Sequence, residues 1–271
     1  MQHDNFHQYC VWCTQKIRTV FQIFNFKTLL ISVLAVLSTY LCIRYSIVAD
    51  FPLTLIATAI VFPVVFSING AYKRREKALE HYASMKAHSK AIYFCTRDWL
   101  DHPSQSSLDK IRTLLDRLMK SFKLLFSGSI TEMRDNEQGV YICFSDLSKF
   151  INMEIRNKKV ASGELSRCNQ YLSKIILAFE DAKHIFQYRT PRSIKTFSSV
   201  FLTLLPIVYG PFFAHEAKEY SAHLTYVLPI LFSVILVSLS NIQEHLENPF
   251  DGVGEDDIKI NIDEFLDRLH D

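Results

Sequence analysis

From Phe51 to Tyr72 the chain runs for 22 residues without a formally charged side chain. As an α-helix rising about 1.5 Å per residue, such a run covers roughly 33 Å, the thickness of a bilayer's hydrocarbon core. Lipid offers no partner for backbone N–H and C=O groups, so a segment of this kind crosses as a helix that satisfies them internally. Three further apolar blocks follow the same logic. Thr28 to Ile43 supplies 16 residues between Lys27 and Arg44, and reaches spanning length when Arg44 snorkels and Tyr45 to Val48 are added. Thr196 to Ala214 gives 19 uncharged residues and Leu224 to Ser240 another 17. The short connection around Asp50 and Pro52 pairs the first two blocks as a hairpin, and the last two form a second. Pro206, Pro211 and Pro229 fall inside spans, where neighbours must satisfy the carbonyls they free.

Basic residues near span ends are retained on the cytosolic side. Lys16, Arg18 and Lys27 precede the first block, Lys73, Arg74, Arg75 and Lys77 follow the second, and Arg189, Arg192 and Lys195 precede the third; the hairpin tips carry only Arg44 and Lys218. Both termini and the middle region are therefore expected in the cytosol. The expected organisation is a cytosolic segment over 1–27, a transmembrane hairpin over 28–72, a cytosolic helical region over 73–195, a second hairpin over 196–241 and an acidic cytosolic tail over 242–271. The first apolar block lacks a small-residue cleavage pattern, so it is expected to act as an uncleaved anchor.

Between the hairpins the apolar spacing is helical throughout. The second span has no stop signal at Tyr72, so its helix is expected to continue to Leu100 and end at Asp101-His102-Pro103. Ser106 or Ser107 suits the cap of a helix carrying Leu108, Ile111, Leu115, Leu118, Phe122 and Leu125 on one face and closed by Ser127-Gly128. Val140, Phe144, Leu147 and Ile151 mark another; Leu165, Leu172, Ile175, Phe179 and Phe186, after Ser162-Gly163, mark a third. After the acidic loop, Ile258, Ile260 and Ile262 alternate as extended chain, and a short helix surrounds Phe265. The fold class is all-α and integral to a membrane.

Composition excludes several function classes. Apolar residues make up 49% of the chain, Gly is scarce, and the six cysteines have no framework spacing, so neither disorder nor a disulfide scaffold fits. The 30 basic residues against 28 acidic ones leave a net charge of +2, too balanced to argue for nucleic acid. There is no Gly-rich phosphate loop and no nucleophile elbow, and His215-Glu216 is followed at 219 by Glu rather than His, so an enzyme is not expected. His3, His7, Cys10 and Cys13 have spacings a Zn²⁺ site uses, set against free cytosolic thiols. Glu255, Asp256 and Asp257 offer oxygen ligands for Ca²⁺ without EF-hand spacing, set against a solvated turn. No N-x-[ST] sequon occurs, which agrees with a bacterial inner membrane.

Two motifs carry a resemblance. Phe66-Ser67-Ile68-Asn69-Gly70-Ala71-Tyr72-Lys73-Arg74, at the inner end of the second span, resembles the signature at that place in bestrophins and their bacterial relatives. Glu247-Asn248-Pro249-Phe250, followed by Glu255-Asp256-Asp257, is similar to the family's post-span motif. The Arg189-Thr190-Pro191-Arg192 approach to the third span and the two-plus-two layout are similar too, so the resemblance covers about 28 to 270. It departs from the family where Arg-Trp-Trp becomes Arg74-Arg75-Glu76, where Pro63 enters the second span, and where the loop after Phe250 is longer than in calcium-gated members.

The resemblance implies a homopentamer in the bilayer whose second span lines a central pore for chloride or other monovalent ions. Aligned on Arg74, it puts the hydrophobic neck at Thr58, Phe62 and Phe66, whose spacing of four also sets them near one helix face. Asn69, Lys73, Arg74, Arg75 and Lys77 would form the inner vestibule, where five copies of the basic run concentrate anions. Asn248, Pro249 and Phe250 are the family's tail motif. Two alternatives stand beside an anion channel: a cation channel of the same fold, and a non-conducting membrane scaffold whose cytosolic helices bind a partner.

Overall fold

The computed structural model of the protein describes residues 24–50, 53–100, 104–156, 160–188, 191–219, 225–250 and 257–269. In chain order the helices are α1 (Phe26–Arg44), α2 (Leu53–Asp98), α3 (Gln105–Ser127), α4 (Met133–Phe150), α5 (Ser162–Gln187), α6 (Arg192–Val208), α7 (Gly210–Glu219), α8 (Val227–Leu246) and α9 (Ile262–Asp267). Short turns over Ile130–Glu132 and Ile151–Ile155 flank α4, and there is no strand among the described residues. The chain divides into two compact units, Met1–Tyr72 with Thr190–Glu247, and Lys73–Arg189 with Asn248–Asp271.

The first unit is the apolar one. α1 and α8 are each long and apolar enough to cross a membrane, and α6 and α7 reach that standard as a pair bent by 41°. α1 starts two residues before the expected block because the Asn25 side chain accepts the Thr28 N–H at 3.2 Å, capping an otherwise orphaned donor. It ends in a Schellman arrangement, with Ile47 N–H bonded to Cys42 O at 2.9 Å and Ser46 N–H to Ile43 O at 3.2 Å. Ser46 takes the left-handed conformation this requires, at φ 56°.

The expected single span over Thr196 to Ala214 is broken at Tyr209 instead. Pro211 has no N–H to return to Ile207, and the freed Ile207 carbonyl is taken by the Ser38 hydroxyl of α1 at 2.7 Å. Gly210 permits this approach: a Cβ there would collide with Ser38 Oγ and lie 3.1 Å from the Ser38 carbonyl carbon. The bend thus belongs to the contact between α1 and α7, not to the proline alone. Three other hydroxyls in the unit bond within their own helices, Ser32 to Thr28 O, Thr39 to Ala35 O and Ser233 to Pro229 O. Ile60, Val64, Leu202, Leu205, Tyr209, Phe213 and Leu236 form its core.

The second unit is a helical bundle closed by the C-terminal segment. Its helices appear where the apolar periodicity puts them, with adjusted ends. α3 is capped by Ser104, whose hydroxyl accepts the Ser107 N–H at 3.2 Å, rather than by Ser106 or Ser107. Ser162 and Gly163 lie inside the first turn of α5, with Ala161 at its N-cap. Ile262 opens α9 instead of ending an extended run, because Asn261 accepts the Glu264 N–H at 3.3 Å. Ile111, Leu115, Leu118, Phe122 and Leu125 of α3 are buried against Val140, Phe144 and Leu147 of α4 and Ile175, Phe179 and Phe186 of α5. Each such side chain contributes about 1.5–3 kcal/mol relative to exposure. Phe122 and Phe179 stack at 5.4 Å.

Along α2 the buried positions alternate by four and three: Ile60, Val64, Ser67 and Ala71 in the first unit, then Ala78, Tyr82, Met85, Ser89, Ile92 and Thr96 in the second. Within each unit their mean spacing is about 3.6 residues, which keeps one face of the helix buried.

Candidate functional site

Opposite the buried seam, α2 presents an exposed face within the first unit. Thr58, Phe62, Phe66 and Asn69 all lie on it. Phe62 is 61% exposed and Phe66 60%, although both sit in the most apolar part of their helix. The two rings meet edge to face, with centroids 4.7 Å apart and planes at 80°, the arrangement that sets a positive ring edge against a negative ring face. Pro63, between them in sequence, leaves the Ala59 carbonyl without its usual donor four residues on, and Ala59 is itself exposed.

The rotation of this helix is fixed from behind. Gln243 of α8 donates its amide to Ser67 Oγ at 2.8 Å in a buried contact. A polar bond buried in an apolar unit has few alternative partners, so it selects one azimuth for α2. Nearby at the same helix ends, Lys27 reaches Ser240 and Glu244 at 3.4 Å, and Asn241 donates to Thr28 Oγ1 at 3.3 Å. Ser67 lies within the motif, but its partner Gln243 does not; Gln243 and Asn241, polar at the end of an apolar block, were the available signal.

In the second unit, the basic run divides. Lys73 and Lys77 are exposed, whereas Arg74 and Arg75 are half-buried and Arg75 pairs with Glu76 at 2.5 Å. The neighbouring carboxylate, standing where the family pattern has Trp, therefore offsets part of the positive charge.

The tail motif serves the two units separately. Glu247, buried at the end of the first, receives Lys195 Nζ at 2.6 Å. In the second unit Phe250 is 5% exposed and stacks on Phe126, with centroids 4.5 Å apart and planes at 15°, while Phe186 meets it edge-on. Pro249 O accepts Ile258 N–H at 2.8 Å, tying the motif to the start of the C-terminal segment. Asn248 Oδ1 is buried without a hydrogen-bond partner. Glu255 and Asp256 lie outside the described residues, as do His3, His7, Cys10 and Cys13, and Asp257 is half-buried. Among the described residues, no group of three or more His, Cys, Asp or Glu side chains is arranged to hold a metal ion.

One further polar cluster lies in the second unit. Lys183 Nζ sits 2.7 Å from Glu137, 2.6 Å from Glu180 and 2.9 Å from the Tyr141 hydroxyl, joining α4 to α5. Burial opposes the charge on Lys183, but the hydrogen bonds to Glu137, Glu180 and Tyr141 outweigh it and raise its pKa above the ordinary lysine value. Burial likewise raises Glu180, and the bonds from Lys183 and Tyr141 outweigh that and hold it below the ordinary carboxylate value.

No protein-family model matches the chain, and no curated protein sequence does. Solved structures do. A mutant of a bacterial bestrophin homologue from Klebsiella pneumoniae matches with a TM-score of 0.67 at 15% identity, over 93% of this chain and 97% of its own. Another mutant of that homologue gives 0.67 at 15% identity over 94% and 100%. A crystal structure described only as a membrane protein gives 0.69 at 15% identity over 90% and 96%. The architecture is therefore that of an all-α, bestrophin-like protein, as the two motifs implied.

Proposed function

We propose that this chain is a bestrophin-like ion channel, embedded in a cell membrane by four spans, in which five copies of α2 surround a central pore. What carries the proposal is the exposed stripe of Thr58, Phe62, Phe66 and Asn69 on a helix whose opposite side is packed. In a membrane-embedded unit, large apolar rings left unpacked face lipid, a partner surface or a narrow lumen, and the polar Thr58 and Asn69 on the same face favour the lumen over lipid. Ringed about an axis, Thr58, Phe62 and Phe66 make an apolar constriction, where an ion loses part of its water and where dewetting can close the path. Lys73 and Lys77, with Arg74 and Arg75, would raise the anion concentration at the cytosolic mouth, which favours chloride or another monovalent anion.

A specific observation favours a second reading. The Ala59 carbonyl, deprived of its donor by Pro63, gives the neck a negative dipole end that prefers cations. The sign of selectivity is read from the reversal potential of the purified protein in a planar bilayer under a KCl gradient. A value near the chloride equilibrium potential is the expected result, and one near that of potassium transfers the assignment to the Ala59 carbonyl. The Phe62→Ala, Phe66→Ala double variant should change conductance or selectivity; currents identical to the parent would refute the neck. A monomer or dimer in mild detergent would favour the scaffold alternative.

A further inference from the structure

Within the second unit, α2 and the C-terminal segment line a half-open cavity of about 180 Å³. Four cations converge on it, Lys86 and Lys90 from α2 and Lys259 and Arg268 from the tail, against the single carboxylate of Glu264. That carboxylate is already engaged by Arg268 one helical turn away and by the Asn261 side chain at 3.2 Å. The lysines are held by groups that do not neutralise them. Lys86 Nζ lies 4.7 Å over the ring of Tyr82, and Lys90 Nζ donates to the main-chain carbonyl of Arg268 at 2.9 Å. Lys86, Lys90 and Lys259 have no carboxylate partner among the described residues. Like charges gathered in a concave site repel one another and raise the local potential for an anion.

We infer that this cavity binds a phosphate group, carried by a free phosphate or by a lipid headgroup. At roughly 30 Å³ per water it has room for about six waters, ample for a tetrahedral oxyanion with part of its hydration shell. Such an anion presents acceptor oxygens in several directions at once and suits donors arriving from two chain segments; a lone halide offers a single centre. Because the donors come from α2 and from residues 259–268, an occupied site ties the tail to α2. The inference does not depend on whether the chain conducts ions.

The test uses the full-length protein in detergent, titrated with inorganic phosphate against chloride at matched ionic strength. Calorimetry follows binding, and hydrogen exchange follows residues 258–269. Phosphate should bind and slow exchange across that segment. The Lys86→Gln, Lys259→Gln double variant, with α3–α5 exchange unchanged as the check on folding, should bind at least tenfold more weakly and lose the slowing. Nanodiscs distinguish the source. Slowing with phosphatidic acid but not phosphatidylcholine, in the absence of phosphate, identifies a headgroup; slowing by phosphate alone identifies a free anion. Equal affinity in parent and double variant, or no slowing with either phosphate or phosphatidic acid, overturns the inference.

Discussion

Phe250 offers a direct measure of how the tail is held. Its ring is nearly fully buried, stacked on Phe126 at 4.5 Å and met edge-on by Phe186. Truncation by Phe250→Ala removes the whole ring, and large-to-small changes of this kind cost about 3–5 kcal/mol when the site cannot collapse. Collapse is limited here because Pro249 O is tied to Ile258 N and the facing rings belong to α3 and α5. A value of about 4 kcal/mol follows, of which about 0.5–1.5 kcal/mol is the aromatic pairing itself. The two units need not unfold together, so a single melting temperature is the wrong readout. Hydrogen exchange resolved on peptides of α3 and α5 in the detergent-solubilised chain is the right one. Protection there should fall by about three powers of ten, at 1.4 kcal/mol for each, with Phe250→Leu milder because it keeps much of the volume. A fall of less than fivefold in the Ala variant would refute the packing role, and the motif would need another explanation.

Two other outcomes are expected. Ser46→Gly should stabilise the first unit by about 1 kcal/mol, since Ser46 occupies the left-handed position of the α1 Schellman turn, where glycine has no Cβ to strain; faster hydrogen exchange on peptides of α1 in the variant would contradict this. The Lys183 cluster predicts an acid limb. Glu180 has a folded pKa below its ordinary value, so its contribution is present above about pH 4.3 and is lost as pH falls through the depressed value. Lys183 is raised, so its contribution is complete below the ordinary lysine value and is lost only as pH rises through the raised one. Protection of α4 and α5 peptides, corrected for the intrinsic pH dependence of exchange, should therefore be flat from about pH 6 to 9 and decline below about pH 4.3, with the acid decline reduced in Lys183→Met.

Much of this architecture was legible from periodicity. Leu108, Ile111, Leu115, Leu118, Phe122 and Leu125 recur at helical spacing, and α3 follows them; the long α2 was visible because nothing between Tyr72 and Asp101 interrupts it. Ends were less legible, since a cap depends on which of several serines completes the turn, and Ser104 does so where Ser106 and Ser107 do not. Pro211 was visible in the third apolar block, but the bend at Tyr209 needed Ser38, far away in sequence, to receive the freed carbonyl. For the candidate neck, spacing gave one face of a helix, while burial of Ile60, Val64, Ser67 and Ala71 behind it gave the reason that face is open. The Lys86 and Lys259 cavity had no sequence signal, because its two walls are separated by most of the second unit.

The alternating seam along α2 bears on how such a chain can change over generations. Adding or removing one residue between Ile60 and Thr96 turns everything beyond it by about 100°, swinging buried positions into the open. A change of seven restores the phase. Substitutions carry no such penalty as long as the seam stays small or apolar. The letters of this helix are thus free to drift while its length is held, in keeping with solved structures that share the fold over nine-tenths of the chain at 15% identity.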